Sequence, residues 1–204
     1  NHWHLFDKLL AKGLPTYIVR LLCFWYCCQD FMVRWANIVS ESFKVTNGVR
    51  QGGILSPLFF NVYVDDLSRN LASSNVAWHF YSTCVNHLFY ADDSVLIAPS
   101  PTALKKLIDI CEKFSCDNEI VYNTKKTRCM YIGLKQWKTV APVKQFLYGQ
   151  VLKWVTEIKY LGYHITCDFS DDRDIKRQMR AIYSRGNILA RKFINCSIDV
   201  KNQL

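Results

Sequence analysis

A chain of 204 residues, half of them hydrophobic and 14% aromatic, can bury one sizeable core with room for a small second lobe, and is too apolar for a disordered segment. Its longest strictly apolar run, Leu21 to Cys28, is far short of the ~20 residues that cross a bilayer, and the nine cysteines show neither a Cys-x-x-Cys pair nor zinc-finger spacing, which sets aside membrane, disulfide-framework and structural-zinc classes. The net charge of +9 is uneven: residues 1–122 carry 10 basic and 11 acidic side chains, whereas residues 123–204 carry 16 and 6.

In chain order, Leu5, Phe6, Leu9 and Leu10 share one side of a helix over residues 3–12, stopped by Gly13 and Pro15. Tyr17 to Cys28 reads as a second, largely buried helix, with Cys23, Cys27 and Cys28 as core thiols in a reducing compartment. Asp30 to Thr46 alternates at Val33, Trp35, Ile38 and Val39, as a strand pair does. Asn47-Gly48 is a turn signal and Gly52-Gly53 a second flexible point. Ser56-Pro57 reads as an N-cap followed by proline, opening a helix to about Leu71 with Leu58, Val62 and Leu67 inward.

Residues 85–98 form two apolar arms, Val85 to Ala91 and Ser94 to Ala98, around Asp92-Asp93, the pattern of a hairpin with two carboxylates at its tip. Ser100-Pro101 repeats the cap-plus-proline device before a strongly amphipathic helix carrying Leu104, Leu107, Ile108, Cys111 and Phe114. A strand is expected over Arg128 to Gly133 and a small hairpin around Gly149-Gln150. Ile158 to Thr166 reads as another strand, and Asp171 or Asp172 caps a basic helix from about Asp174 to Phe193. The architecture expected is an α/β sandwich of the α+β class, with helices on one face of a mostly antiparallel sheet. The basic final segment points to a polyanion, because phosphates neutralised by Lys and Arg release condensed counterions.

Asp92 and Asp93 carry the chemistry. Adjacent carboxylates repel, and burying them beside apolar arms is costly without a compensating cation. Mg²⁺ prefers such oxygen ligands, and two ions about 3.5–4 Å apart clamp both oxygens of a phosphoryl transfer. An ordinary solvated Asp-Asp turn is the alternative.

Four motifs in order resemble those of reverse transcriptases. Tyr90-Ala91-Asp92-Asp93 is similar to the family's catalytic hairpin. The stretch from Gly48 to Phe59, containing Arg50-Gln51-Gly52-Gly53, resembles the loop and helix that precede it. Asn123-Thr124-Lys125-Lys126-Thr127 resembles the lysine motif that follows, and Tyr160-Leu161-Gly162 the primer-grip hairpin. The flavour is that of non-LTR, LINE-like retrotransposons.

This resemblance implies an RNA-directed DNA polymerase that adds dNTP to a DNA primer on an RNA template, using two Mg²⁺ or, in their place, Mn²⁺. It implies a partial palm over residues 1–165, with a remnant of fingers and palm helices at 1–45, and the start of a basic helical thumb over 166–204. Asp92 and Asp93 would hold metal, and Lys126 would protonate the leaving pyrophosphate. Gln51 and Gly52, with Arg50 and Tyr90, would line the nucleotide and template pocket, and Tyr160, Leu161 and Gly162 would hold the primer end. Arg173, Lys176, Arg177 and Arg180, with further basic residues on the same helix, would follow the nucleic-acid backbone without reading sequence.

The family pattern has one more aspartate on an earlier strand. Asn1 to Asp7 resembles the stretch directly after it, so little activity is expected of these residues alone, with a poorly soluble, exposed sheet edge. Asp7, Asp65 and Asp66 are not convincing substitutes. Competing readings are a non-catalytic nucleic-acid-binding remnant and the palm of an RNA-dependent RNA polymerase. The expected location is the nucleus or cytoplasm, away from membranes.

Overall fold

A computed structural model describes residues 1–81, 83–133 and 143–197. They fall into two compact units: one of Asn1–Asn123 with Gln145–Gln150, the other built from Thr124–Lys144 and the chain from Val151 onward.

In the first unit, α1 (His2–Ala11), α2 (Thr16–Cys27) and α3 (Ser56–Ala72) pack around Leu5, Phe6, Leu9, Val19, Leu22, Tyr26, Phe59 and Tyr63. The stripe Phe59, Tyr63, Leu67 and Leu71 repeats every fourth residue, the spacing that keeps side chains on one helix face. Its first half belongs to this cluster. Its second half joins α4 (Pro101–Asp117), through Leu107, Cys111 and Phe114, in a second cluster. One helix therefore bridges both cores. Lys8 reinforces the bridge: its ammonium pairs with Asp66 at 2.5 Å and lies 5.4 Å from the ring centres of both Tyr63 and Phe114.

Between α2 and α3 the chain forms a ribbon, β1 (Asp30–Phe31) pairing with β4 (Phe43–Lys44) and β2 (Arg34–Trp35) with β3 (Ile38–Val39). Next come the antiparallel pairs β5 (Trp78–Phe80) with β6 (Thr83–Val85) and β7 (His87–Tyr90) with β8 (Asp93–Leu96). After β9 (Arg128–Met130) in sequence come β10 (Phe146–Leu147) and β11 (Gln150–Val151), which pair with each other. In the second unit, β9 (Arg128–Met130) pairs in parallel with β12 (Lys153–Val155), β13 (Glu157–Tyr160) pairs antiparallel with β14 (Tyr163–Thr166), and α5 spans Asp172–Lys192.

The mixed helix and strand content agrees with the sequence, but a continuous sheet does not form. The described strands make seven two-stranded pairs. Ile158 to Thr166 is a hairpin rather than one strand, turning at Leu161-Gly162. The small hairpin turns at Tyr148-Gly149, one residue earlier than expected.

Helix faces also differ from expectation. Leu10 and Leu58 point outward, and Ser56 is the first residue of α3, with Leu55 at its cap position. Helix α2 buries only Val19, Leu22 and Tyr26, leaving Tyr17, Leu21 and Phe24 exposed. Cys27 and Cys28 are exposed and Cys23 half-buried, so they are not core thiols. The buried thiols are Cys111 and Cys129, each pushed up to about 11 by burial, which keeps them protonated and unreactive. The cysteines described are all free, and no described helix is long and apolar enough to cross a membrane.

Candidate active site

The hairpin β7–β8 closes through Ala91 and Asp92, with Tyr90 facing Asp93 across the pair. Ala91 adopts φ +50°, a left-handed conformation that costs an L-residue roughly 1–2 kcal/mol. The cost is met by the anchoring of the arms. Phe89 and Leu96 pack against the second core cluster, which leaves the turn to project. Asp92, Asp93 and Tyr90 are all exposed. The carboxylates are therefore not buried among the apolar arms. Their mutual repulsion remains, while the desolvation cost argued from the sequence does not arise.

What holds the hairpin to α3 was not legible in the sequence. Asn86, 2% exposed, donates from Nδ2 to the carbonyls of Leu71 (2.6 Å) and Val76 (2.7 Å). Its Oδ1 can then only accept, so His87 Nδ1, 2.6 Å away, carries the proton. His87 Nε2 is left to accept from the Ser68 hydroxyl at 2.7 Å. This chain of bonds stitches the start of β7 to the middle and end of α3, and the backbone of Asn86 accepts from Ile97 N at 2.8 Å. A Ser-His-Asn order resembles a hydrolytic relay, but Asn86 is engaged at both ends of its amide and Ser68 lies within a helix.

Burial lowers the His87 imidazole below its ordinary value. The folded state thus prefers neutral His87, and the unfolded chain takes up a proton first as pH falls. The stability this contributes is complete above ~6.5 and is lost as pH drops through that value and below. The urea midpoint should fall between pH 7.5 and 5.5, and His87→Gln should flatten that fall. An unchanged pH profile in His87→Gln would assign the effect elsewhere.

The loop before α3 is tied by its own backbone. The Arg50 carbonyl accepts from Gly53 N at 3.0 Å and from the Ser56 hydroxyl at 2.5 Å. A Cβ on Gly53 would stand 2.7 Å from Ser56 Oγ and 3.1 Å from the Arg50 carbonyl oxygen, so glycine is required there by packing. Gly52 meets nothing within 4 Å; it and Gln51 are exposed. His2 Nε2 lies 2.7 Å from the Gly48 carbonyl and anchors the loop to α1.

The remaining motif residues, Asn123 excepted, lie in the second unit. Lys126 is exposed in a turn before β9. The β13–β14 hairpin turns through Leu161 (φ +46°) and Gly162 (φ +86°), the two positive dihedrals of the turn type that matches strand twist. Tyr160 is half-buried, whereas Leu161 and Gly162 are exposed. Along α5, Lys176 and Arg180 are exposed, while Arg173 pairs with Glu157 and Arg177 with Asp174.

As a cation site, the hairpin tip has suitable donors: two exposed carboxylates that already repel. Among the described residues no group of three or more His, Cys, Asp or Glu side chains is gathered as a metal site. Asp65 is engaged by Lys12 and Arg69, Asp66 by Lys8, and Asp7 is exposed. None of them completes the pair.

The family model for reverse transcriptase (RNA-dependent DNA polymerase) matches residues 1–165. The chain is 31% identical over 174 residues to a retrovirus-related Pol polyprotein from type-2 retrotransposable element R2DM of Drosophila melanogaster, covering 81% of this chain and 16% of that protein. It is 29% identical over 105 residues to a retrovirus-related Pol polyprotein from type-1 retrotransposable element R2 of Nasonia vitripennis, covering 52% and 10%. It therefore spans about a sixth or less of the length of these relatives. With the family model matched over residues 1–165, the span that holds the four motifs, the chain belongs to the reverse transcriptase family, and within it to the non-LTR retrotransposon kind.

Proposed function

We propose that this chain forms part of an RNA-directed DNA polymerase that transfers a nucleotide from dNTP to a primer 3′-hydroxyl and releases pyrophosphate. The exposed Tyr90-Ala91-Asp92-Asp93 tip on an anchored hairpin carries the reading. A group that receives an ion from solvent and meets a nucleic-acid end has to project, and its scaffold has to be rigid. Asp92 is the principal metal ligand and Asp93 assists. Bound Mg²⁺ supplies charge neutralisation and polarises the transferred phosphoryl group. Gln51 and Gly52, with Arg50 and Tyr90, line the template and nucleotide pocket, and Lys126 gives a proton to the leaving pyrophosphate. Tyr160, Leu161 and Gly162 hold the primer end, while the exposed cations of α5 follow phosphates.

The test is primer extension on an RNA template with Mg²⁺, comparing dNTP with NTP. The 204-residue chain is assayed beside a Pol polyprotein carrying this segment. The polyprotein should incorporate dNTP, and the chain alone should extend little, since two carboxylates leave the two-metal clamp incomplete. Preference for NTP would move the assignment to an RNA-dependent RNA polymerase. Nucleic-acid binding without synthesis by either protein would favour the non-catalytic remnant.

A further inference from the structure

Helix α5 is 21 residues long and buries no side chain, so no apolar anchor seats it on the hairpin it follows. A polar network joins them instead. Arg177 donates from Nε (3.0 Å) and Nη2 (2.7 Å) to Asp174 Oδ1, and the same Nη2 reaches the Gly162 carbonyl at 2.6 Å. Asp174 Oδ1 also accepts from the backbone N–H of His164 at 3.2 Å. On the hairpin, Glu157 and His164 are diagonal neighbours, since Glu157 faces Thr166 and Lys159 faces His164. Glu157 bonds His164 Nδ1 through one oxygen and Arg173 through the other. Their cationic and donor partners hold both carboxyls below the usual range, His164 and Arg173 acting on Glu157 and Arg177 on Asp174.

We propose that Arg177 and Asp174, supported by the Glu157 bridge, are positioning residues that fix the Leu161-Gly162 turn to α5, and that Arg177 serves this clamp rather than the phosphate backbone. The inference rests on the primer-holding role given above to that turn. The guanidinium suits the task because its rigid planar fork places two donor nitrogens, Nε on the carboxylate and Nη2 shared between carboxylate and carbonyl, whereas lysine offers one compact ammonium with no fixed second nitrogen. The phosphate-facing cations at the start of the helix are then Arg173, Lys176 and Arg180, all exposed. The turn and the first part of the helix move as one body, so a primer end gripped by the turn stays in register with the strand along the helix.

The test uses the 204-residue chain, a primer–template duplex bearing a photoreactive 3′-terminal nucleotide, and the variants Arg177→Gln, Arg177→Lys, Asp174→Asn and Lys176→Gln. Amide hydrogen exchange across residues 160–164 should quicken about tenfold or more in Arg177→Gln and in Asp174→Asn, which remove the same ion pair from opposite ends. Arg177→Lys should not rescue it. The slope of log affinity against log salt should be unchanged in Arg177→Gln and should shrink by about 1 in Lys176→Gln. At saturating duplex, crosslinking of the 3′-end to residues 160–163 should fall several-fold in Arg177→Gln, which loss of a merely structural bond remote from the primer would not cause. Unchanged exchange in both clamp variants, or a salt slope reduced by about 1 in Arg177→Gln with exchange intact, would overturn the clamp. If the unsubstituted chain gives no crosslink at 160–163 while exchange responds as stated, the clamp stands and the primer-holding role of the turn is what fails.

Discussion

Asp92→Asn, placed in a Pol polyprotein carrying this segment, is expected to lower primer extension by roughly 10³-fold, about 4 kcal/mol of transition-state stabilisation. The substitution keeps size and shape while removing the charge that attracts a hard cation. Asp92 sits exposed in a two-residue turn, and no described side chain bonds to its carboxylate. The fold therefore gives nothing up, and the melting temperature should stay within about 1 °C of the parent. That separation makes the result informative: activity lost at constant stability reports chemistry. Asp93→Asn should cost less, because Asp93 begins β8 opposite Tyr90 and only assists. Undiminished synthesis by Asp92→Asn would remove the metal role of the hairpin tip and with it the reading of the site.

The second large effect is on stability. Asn86→Ala removes the amide that satisfies the Val76 carbonyl and accepts from His87 Nδ1. The Leu71 carbonyl keeps Ser74 as a donor, through its N–H at 3.1 Å and its hydroxyl at 2.6 Å. One buried and one half-buried polar group are then stranded, each costing about 1–3 kcal/mol, so a loss of about 3 kcal/mol is expected. For a chain of this size that lowers the melting temperature by roughly 6–12 °C. The hairpin should loosen from α3 at the same time, so extension by the polyprotein should fall with it, unlike the pure chemical loss in Asp92→Asn. Thermal unfolding by circular dichroism reads the first effect. A shift under 2 °C would mean that the Asn86 bonds are readily replaced and do not anchor the site.

The two hairpins illustrate what was legible. The β7–β8 hairpin was readable because two apolar arms flank a polar pair, and that contrast is local. By its apolar pattern the β13–β14 segment was read as one strand, because its turn, Leu161-Gly162, lacks the polar residue that usually precedes glycine; the hairpin entered only through the resemblance of Tyr160-Leu161-Gly162, and the positive φ of Leu161 and Gly162 shows the turn. The N-cap at Ser100 was correct, its hydroxyl accepting from Ala103 N at 3.1 Å. The same reading failed at Ser56, because the Arg50 carbonyl captures that hydroxyl from outside the helix. Basic residues on α5 were treated alike from sequence, whereas Glu157 and Asp174 engage two of them.

The helices, the position of the Asp92-Asp93 turn, the amphipathic face of α4 and the motif residues themselves were determined by the sequence alone, since each depends on neighbours within a few positions. The tertiary structure decided which apolar residues are covered, that the strands pair in twos, and that Asn86, His87 and Ser68 stitch the carboxylate hairpin to α3. It also decided that Glu157 and Asp174 pair with two of the α5 arginines. These outcomes depend on contacts between residues distant in the chain, such as Lys8 with Asp66 or Asn86 with Leu71. Such partners compete for the same hydrogen-bonding groups, and only the folded chain selects the winner.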